Sequence, residues 1–132
     1  MKNLTAQQAS DLGKTFLELE QLVADFRYSN WDKLSKLQNQ KLGSLQWSIL
    51  NSAEDIFALS TIIVMDDVQR DLTKIKDITK EINKTLKMLK DIQKGIDIAA
   101  AVVTLAAAII SKNPPGIVDS INELSKAVTN GQ

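Results

Sequence analysis

Apolar residues recur at intervals of three and four along most of the chain. The first series consists of Ala9, Leu12, Phe16, Leu19, Val23 and Phe26. On a helix of 3.6 residues per turn these positions share one side. The pattern predicts a helix over about 6 to 28. Thr5 and Gln8 resemble a capping box at its start, and Ser29-Asn30 offers a stop or the next N-cap.

Two further series predict a second and a third helix. The second runs through Trp31, Leu34, Leu42, Leu45, Ile49, Ser52, Ile56, Leu59 and Ile63, and the third through Val68, Leu72, Ile75, Ile78, Ile82, Leu86, Leu89, Ile92 and Ile96. They predict one helix over about 31 to 65 and another from Val68, with Asp66 or Asp67 as its cap. The change of phase between Ile63 and Val68 indicates a turn near Met65-Asp67. No glycine or proline lies there, so one continuous helix with a stutter is the alternative.

The last third of the chain predicts two more helical segments around the chain's only two prolines. Residues 96 to 112 form an alanine-rich apolar segment, and Asn113 can then cap a helix that starts at Pro114. The apolar side of that last helix consists of Ile117, Ile121, Leu124 and Val128. Asn130-Gly131 is a plausible stop.

Helix lengths suggest the architecture. At 1.5 Å per residue the first three helices would be roughly 35, 50 and 40 Å long, and the last two together roughly 50 Å. Four rods of similar length predict an all-α fold. We expect an elongated up-down four-helix bundle whose last rod is broken at Pro114-Pro115, with five helical segments in a single domain over 1 to 132.

Composition narrows the chemistry. The chain has 16 basic and 16 acidic residues, no cysteine and no histidine. It therefore lacks the residues most used for nucleophilic, acid-base and transition-metal chemistry, and no phosphate-binding glycine motif is present. We expect no enzyme activity, catalytic residue, cofactor, metal site or small-molecule substrate. The N-terminus lacks the apolar segment of a secretory signal, which predicts a cytoplasmic protein or one exported without a conventional signal peptide.

The third helix carries the clearest charge asymmetry. Between residues 70 and 94 there are eight basic and four acidic residues. Its candidate basic face consists of Lys76, Lys80, Lys84, Lys87, Lys90 and Lys94. Such a helix can contact nucleic acid, anionic lipid or an acidic partner. Interleaved acidic residues and the absence of aromatic residues favour a solvated face over nucleic-acid binding.

The alanine-rich segment has two interpretations. Thirteen residues without charge run from Ile98 to Ile110, whereas a spanning helix needs about twenty. This length favours a core helix surrounded by its neighbours. The residues of this packing or membrane hairpin are Ile98, Val102, Val103, Leu105, Ile109, Ile110, Pro114, Pro115, Gly116 and Ile117.

The stretch "LKMLKDIQKGIDIAAAVVTLAAAIISKNPPGIVDSI", residues 85 to 120, resembles the hydrophobic hairpin of α-helical pore-forming toxins of the cytolysin A and haemolysin BL type. The resemblance implies long helices that bury an apolar element and release it on membranes. It assigns no functional residue.

The preferred interpretation is a non-catalytic helical bundle that acts through helix-mediated association with another protein or with itself. Leu17, Leu22, Leu37 and Trp47 lie off the main apolar series, so the bundle is expected to expose apolar area for a partner. Trp31 and Trp47 are interpreted as packing anchors. The alternative is a membrane-active protein, soluble or peripheral on membranes, that inserts Ile96 to Ile121.

Overall fold

The computed structural model describes residues 2 to 59 and 62 to 130, except for the side chain of Asn130. Its helices are α1 (Ala6–Ser29), α2 (Lys36–Leu59), α3 (Val68–Met88), α4 (Ile92–Ile110) and α5 (Pro114–Asn130). A 3-10 turn, Trp31–Lys33, joins α1 to α2, and strands β1 (Lys2–Asn3) and β2 (Val64–Met65) pair antiparallel. The predicted all-α bundle with five helical segments is confirmed. Gly131 of the predicted C-terminal stop lies outside the described residues.

The helices form a ring in which each packs against two others. The order around the ring is α1, α2, α4, α5, α3 and back to α1, and α1 also contacts α4 across it. The break at Pro114-Pro115 is therefore a full reversal, and α4 and α5 lie side by side instead of extending one rod. This arrangement differs from the expected bundle of four rods, in which α4 and α5 together would form the last rod. Two half-length helices that are apolar on their facing sides bury more surface against each other than end to end.

The start of the first helix follows the sequence prediction. Thr5 and Gln8 form the predicted capping box, with the Thr5 hydroxyl accepting from Gln8 N at 3.1 Å and the side-chain Oε1 of Gln8 accepting from Thr5 N at 2.9 Å. The six residues of the first apolar series are all buried.

The predicted bounds of the second helix, about 31 to 65, are wrong at both ends. Ser35 and Gln38 form a second capping box, with Gln38 N donating to Ser35 Oγ at 3.1 Å and Ser35 N donating to Gln38 Oε1 at 2.9 Å. The α-helix therefore starts at Lys36 and not at Trp31. At the other end, Val64 and Met65 leave the helix to pair with Asn3 and Lys2. Long-range strand pairing of this kind has no local sequence signal.

The third helix is separate from the second and shorter than predicted. Asp67 caps it, since Arg70 N donates to Asp67 Oδ1 at 3.0 Å. The apolar series runs on to Ile96, but α3 ends at Met88 and Asp91 caps α4 through Lys94 N at 3.3 Å. A continuous helix over 68 to 110 would be roughly 65 Å long. The break lets α4 turn back and fill the ring.

Candidate functional site

The exposed large apolar side chains of the described residues are concentrated on one part of the bundle. The six on α1, the 3-10 turn and α2 are Leu17, Tyr28, Trp31, Leu37, Trp47 and Phe57, and we call this set the α1-α2 face. The others are Ile62 and Met88. Trp31 is 48% exposed and Trp47 64% exposed, so the interpretation of the two tryptophans as packing anchors is wrong.

A stacked aromatic cluster occupies the end of the α1-α2 face. The rings of Tyr28 and Trp31 stack with centroids 5.8 Å apart and planes 25° apart. The Arg27 guanidinium carbon lies 5.7 Å from the Tyr28 centroid and 5.3 Å from the Trp31 centroid. Cation-π contact of this kind fixes the arginine over an aromatic surface that remains open to solvent.

Polar side chains of α2 accept hydrogen bonds from the Arg27 guanidinium. Its Nε donates to Asn39 Oδ1 at 2.6 Å and its Nη1 to Gln46 Oε1 at 3.3 Å, while Gln46 Nε2 donates to Glu20 Oε1 at 3.0 Å. A Cβ atom at position 43 would lie 3.0 Å from the Arg27 guanidinium. The absence of a side chain at Gly43 therefore provides the space that the guanidinium occupies. The sequence patterns did not indicate this network, since its members sit between the apolar stripes.

The α1-α2 pair has a defined antiparallel register. The Phe57 ring lies against Gly13 and the Arg27 guanidinium against Gly43, and both pairs of numbers sum to 70. Trp47 is therefore level with Val23, between these contacts and nearer to the one at Gly43. The apolar side chains of the α1-α2 face thus follow the whole length of one helix pair.

The residues of the predicted packing or membrane hairpin lie mostly inside the bundle. Ile98, Val102, Leu105, Ile109 and Ile117 are fully buried. Val103, Ile110 and Gly116 are half-buried, Pro114 is buried and Pro115 is exposed. Among the described residues α4 is the one helix long and apolar enough to cross a membrane, and half of that stretch is buried. Its solvent side consists of Gln93, Asp97, Thr104 and Ala107.

The turn of this hairpin is a Schellman motif. Asn113 N donates to Ala108 O at 3.2 Å and Lys112 N to Ile109 O at 3.1 Å. Lys112 takes the left-handed conformation at φ 57°, where glycine is usual. Asn113 then caps α5, because its Oδ1 accepts from Gly116 N at 3.2 Å. Asn113 therefore takes part both in the motif that ends α4 and in the N-cap of α5, which confirms the predicted cap.

The predicted basic face lies beside an acidic row of α1. Five of its lysines are exposed and Lys94 is half-buried. Lys76 and Asp11 line one shallow cleft, Lys80 and Glu18 line a second, and Lys87 and Asp25 line a third. In the part of the chain that the structure describes, ion pairs within 4.0 Å involve Arg70 and Lys126 and none of these lysines. The balanced charge favours a solvated surface.

One concave surface near the basic face is an open cleft of about 500 Å³ between the C-terminal ends of α1 and α3. Its floor includes Leu22, Phe26 and Leu86, and its rim includes Lys33 and Lys87. Cations at helix C-termini are accounted for by the helix dipole. The cleft therefore does not require an anionic ligand to explain its lysines.

The described residues contain no group of three or more acidic side chains placed to hold a metal ion. Asp71 is buried on the core side of α3, with Oδ1 3.4 Å from Arg70 Nε and no hydrogen bond to Oδ2.

Comparison with known proteins finds no match among protein-family models, curated proteins or solved structures. The fold and the surface therefore define the class: an all-α bundle whose main distinguishing feature is the α1-α2 face.

Proposed function

We propose that the protein is a non-catalytic helical bundle that acts by binding another protein molecule through the α1-α2 face. The observation that carries the proposal is the concentration of Arg27, Tyr28, Trp31, Leu37 and Trp47 on one exposed helix pair. Tryptophan, tyrosine and arginine are the residue types that dominate binding energy at protein interfaces. The stacking of Tyr28 on Trp31 and the hydrogen bonds of Arg27 hold these three side chains in place before binding, which lowers the entropy lost on association.

The proposal is tested by photo-crosslinking in cells. A photoreactive amino acid is placed at Gln40, on the exposed side of α2, and in a matched variant at Lys80, on the exposed side of α3. We expect covalent adducts with a protein, either this chain or another, from position 40 and few from position 80. Equal labelling from both positions, or none from position 40, would contradict the proposal.

A second variant pair tests which side chain matters. Trp47→Ser and Met88→Ser each remove an exposed apolar side chain, since Met88 is 83% exposed. Both changes should leave the thermal melting temperature unchanged. Only Trp47→Ser should reduce the adducts formed at position 40.

We propose membrane insertion of the α4-α5 hairpin as a second candidate function. The observation that favours it is the length and apolar character of α4, followed by a tight turn into α5. Five of the ten hairpin residues named from the sequence are fully buried in the bundle. Insertion would therefore require the bundle to open, as in the toxins that the segment resembles.

The second candidate has a test that leaves the bundle intact. Thr104 is exposed on α4, so Thr104→Lys should not disturb the fold, and lysine favours helix slightly more than threonine. At the centre of a membrane helix a lysine costs about 3 kcal/mol. If the hairpin inserts, the parent protein should release dye from anionic liposomes and Thr104→Lys should not. No release by the parent would rule out this candidate.

A further inference from the structure

One end of the bundle combines lysines with exposed apolar side chains. Here α1 and α3 end and α2 and α4 begin. Asn30, Lys33 and Lys87 line the same cleft, and Gly95 near the start of α4 lies against Phe26 near the end of α1. We call this surface the basic end, and it consists of the exposed residues Trp31, Lys33, Lys36, Lys87, Met88 and Lys90.

The charge of the basic end is not balanced. Between residues 30 and 36 and between residues 87 and 94 the chain has five lysines and two aspartates, a net charge of +3, although the whole chain has none. Among the described residues, the ion pairs within 4.0 Å include none of these lysines. Asp91 Oδ1 accepts from Lys94 N as the cap of α4. Close ion pairs within the described chain therefore do not neutralise this end.

Helix dipoles explain only part of this charge. Lys87 lies in the last turn of α3, where the dipole favours a cation. Lys36 and Lys94 lie in the first turns of α2 and α4, where the dipole disfavours a cation, and neither first turn contains an acidic residue. A role in binding therefore accounts for Lys36 and Lys94 better than helix stability does.

Lysines beside an exposed tryptophan are typical of a surface that lies on an anionic bilayer. At interfaces between proteins, by contrast, lysine is depleted. On a bilayer the lysines meet anionic headgroups, while a tryptophan ring fits the boundary between headgroups and acyl chains. Trp31 and Met88 provide the apolar contacts of the basic end, and the stacking of Tyr28 on Trp31 holds the indole ring in position.

We infer that the protein binds anionic lipid bilayers end-on through its basic end, without opening of the bundle. The inference goes beyond the proposed function, since Lys87, Met88 and Lys90 lie outside the α1-α2 face. Tyr28 and Trp31 belong to both surfaces. Each lysine close to an anionic surface strengthens binding about fivefold. The net charge of +3 therefore predicts binding about a hundredfold tighter to anionic than to zwitterionic vesicles.

The two tryptophans of the chain report the orientation on the bilayer. Trp47→Phe leaves Trp31 as the only tryptophan, and Trp31→Phe leaves Trp47, which lies about 16 Å along α2 from Lys36. With saturating vesicles of phosphatidylcholine and phosphatidylglycerol, the emission of Trp31 should shift to the blue, and brominated lipid should quench it. The emission of Trp47 should change in neither respect.

Paired charge variants test the lysines of the basic end. Lys87→Gln/Lys90→Gln should weaken co-sedimentation with the anionic vesicles by about 25-fold. Lys74→Gln/Lys76→Gln removes two exposed lysines from the first half of the same helix. These lie roughly 20 Å from the end, beyond the screening length at physiological salt, so the loss should be less than about threefold. Both double variants should keep the parent melting temperature.

Failure of this inference differs from failure of the proposed function. Met88→Ser should weaken vesicle binding and Trp47→Ser should not, which is the reverse of their expected effects on the adducts formed at position 40. Thr104→Lys, which should abolish dye release by an inserted hairpin, should leave vesicle binding unchanged. Loss of vesicle binding in Thr104→Lys would assign that binding to the hairpin and overturn the inference.

Three further results would overturn the inference. Equal binding to anionic and zwitterionic vesicles, or no binding to either, excludes charge-driven docking on a bilayer. A shift of the Trp47 emission as large as that of Trp31 places the side of the bundle on the lipid instead of its end. Binding to polyglutamate or to single-stranded DNA, without binding to vesicles, assigns the lysines to a soluble polyanion.

Discussion

The buried ring of Phe26 lies against Gly95, and this contact gives the sharpest stability prediction. A Cβ at position 95 would lie well inside van der Waals contact with Cε2 and Cζ of Phe26. Phe26 is 4% exposed and Gly95 is buried near the start of α4. In Gly95→Ala the ring must therefore move within the core.

Two opposing terms set the size of the effect. Replacing glycine by alanine in a helix gains about 0.5 to 1 kcal/mol of stability. Adding a carbon to a well-packed core costs about 1 to 3 kcal/mol. Phe26 is 4% exposed, so the displaced ring must either crowd its neighbours in the core or move out into the open cleft that it lines. Because either movement costs packing or exposes apolar surface, the second term should win, and Gly95→Ala should lower the free energy of unfolding by about 1 to 2 kcal/mol.

Gly13→Ala is the matched control. A Cβ there would lie 2.5 Å from Cε1 of Phe57, a clash of similar severity. Phe57, however, is 37% exposed, so its ring can turn toward solvent. Gly13→Ala should therefore range from no change to about 1 kcal/mol of stabilisation, because the helix term remains and the packing cost is small.

Urea unfolding followed by circular dichroism measures both variants. A double variant, Phe26→Leu/Gly95→Ala, should recover part of the loss, since the smaller side chain leaves room for the new methyl group. The reasoning fails if Gly95→Ala is as stable as the parent, or if Gly13→Ala loses as much stability as Gly95→Ala.

Two further predictions concern the helix ends. Lys112→Gly should raise the free energy of unfolding by about 0.5 to 1 kcal/mol, because glycine adopts the left-handed conformation without a steric cost; a lower melting temperature would contradict this. Asp67→Ala removes the N-cap of α3 and should cost about 1 kcal/mol in urea unfolding. Asp66→Ala removes only an exposed ion pair to Arg70 at 3.8 Å and should be close to neutral, so equal losses would refute the capping argument.

The helix starts were predictable where a side chain caps its own backbone. Thr5, Asp67 and Asn113 cap their helices as expected. Ser35 caps α2 by the same chemistry, but the apolar series through Trp31 and Leu34 obscured it. Local hydrogen bonds leave a local signal, and errors arise where a hydrophobic pattern overlaps it.

The candidate site was only partly predictable. Leu37 and Trp47 lie off the apolar series, which correctly placed them outside the core. The stacking of Arg27 on Tyr28 and Trp31 was not visible in the sequence, because it depends on how the 3-10 turn folds back over α1.

The sequence by itself determined an all-α bundle with five helical segments, most helix starts, and the burial of the first apolar series. These features depend on residues within a few positions of one another, through helical periodicity and capping. Only the tertiary structure decided that α3 ends at Met88, that Val64 and Met65 pair with the N-terminus, and that α4 and α5 lie side by side. Each of these depends on contacts between distant parts of the chain, where the burial of apolar surface outweighs local helix preference.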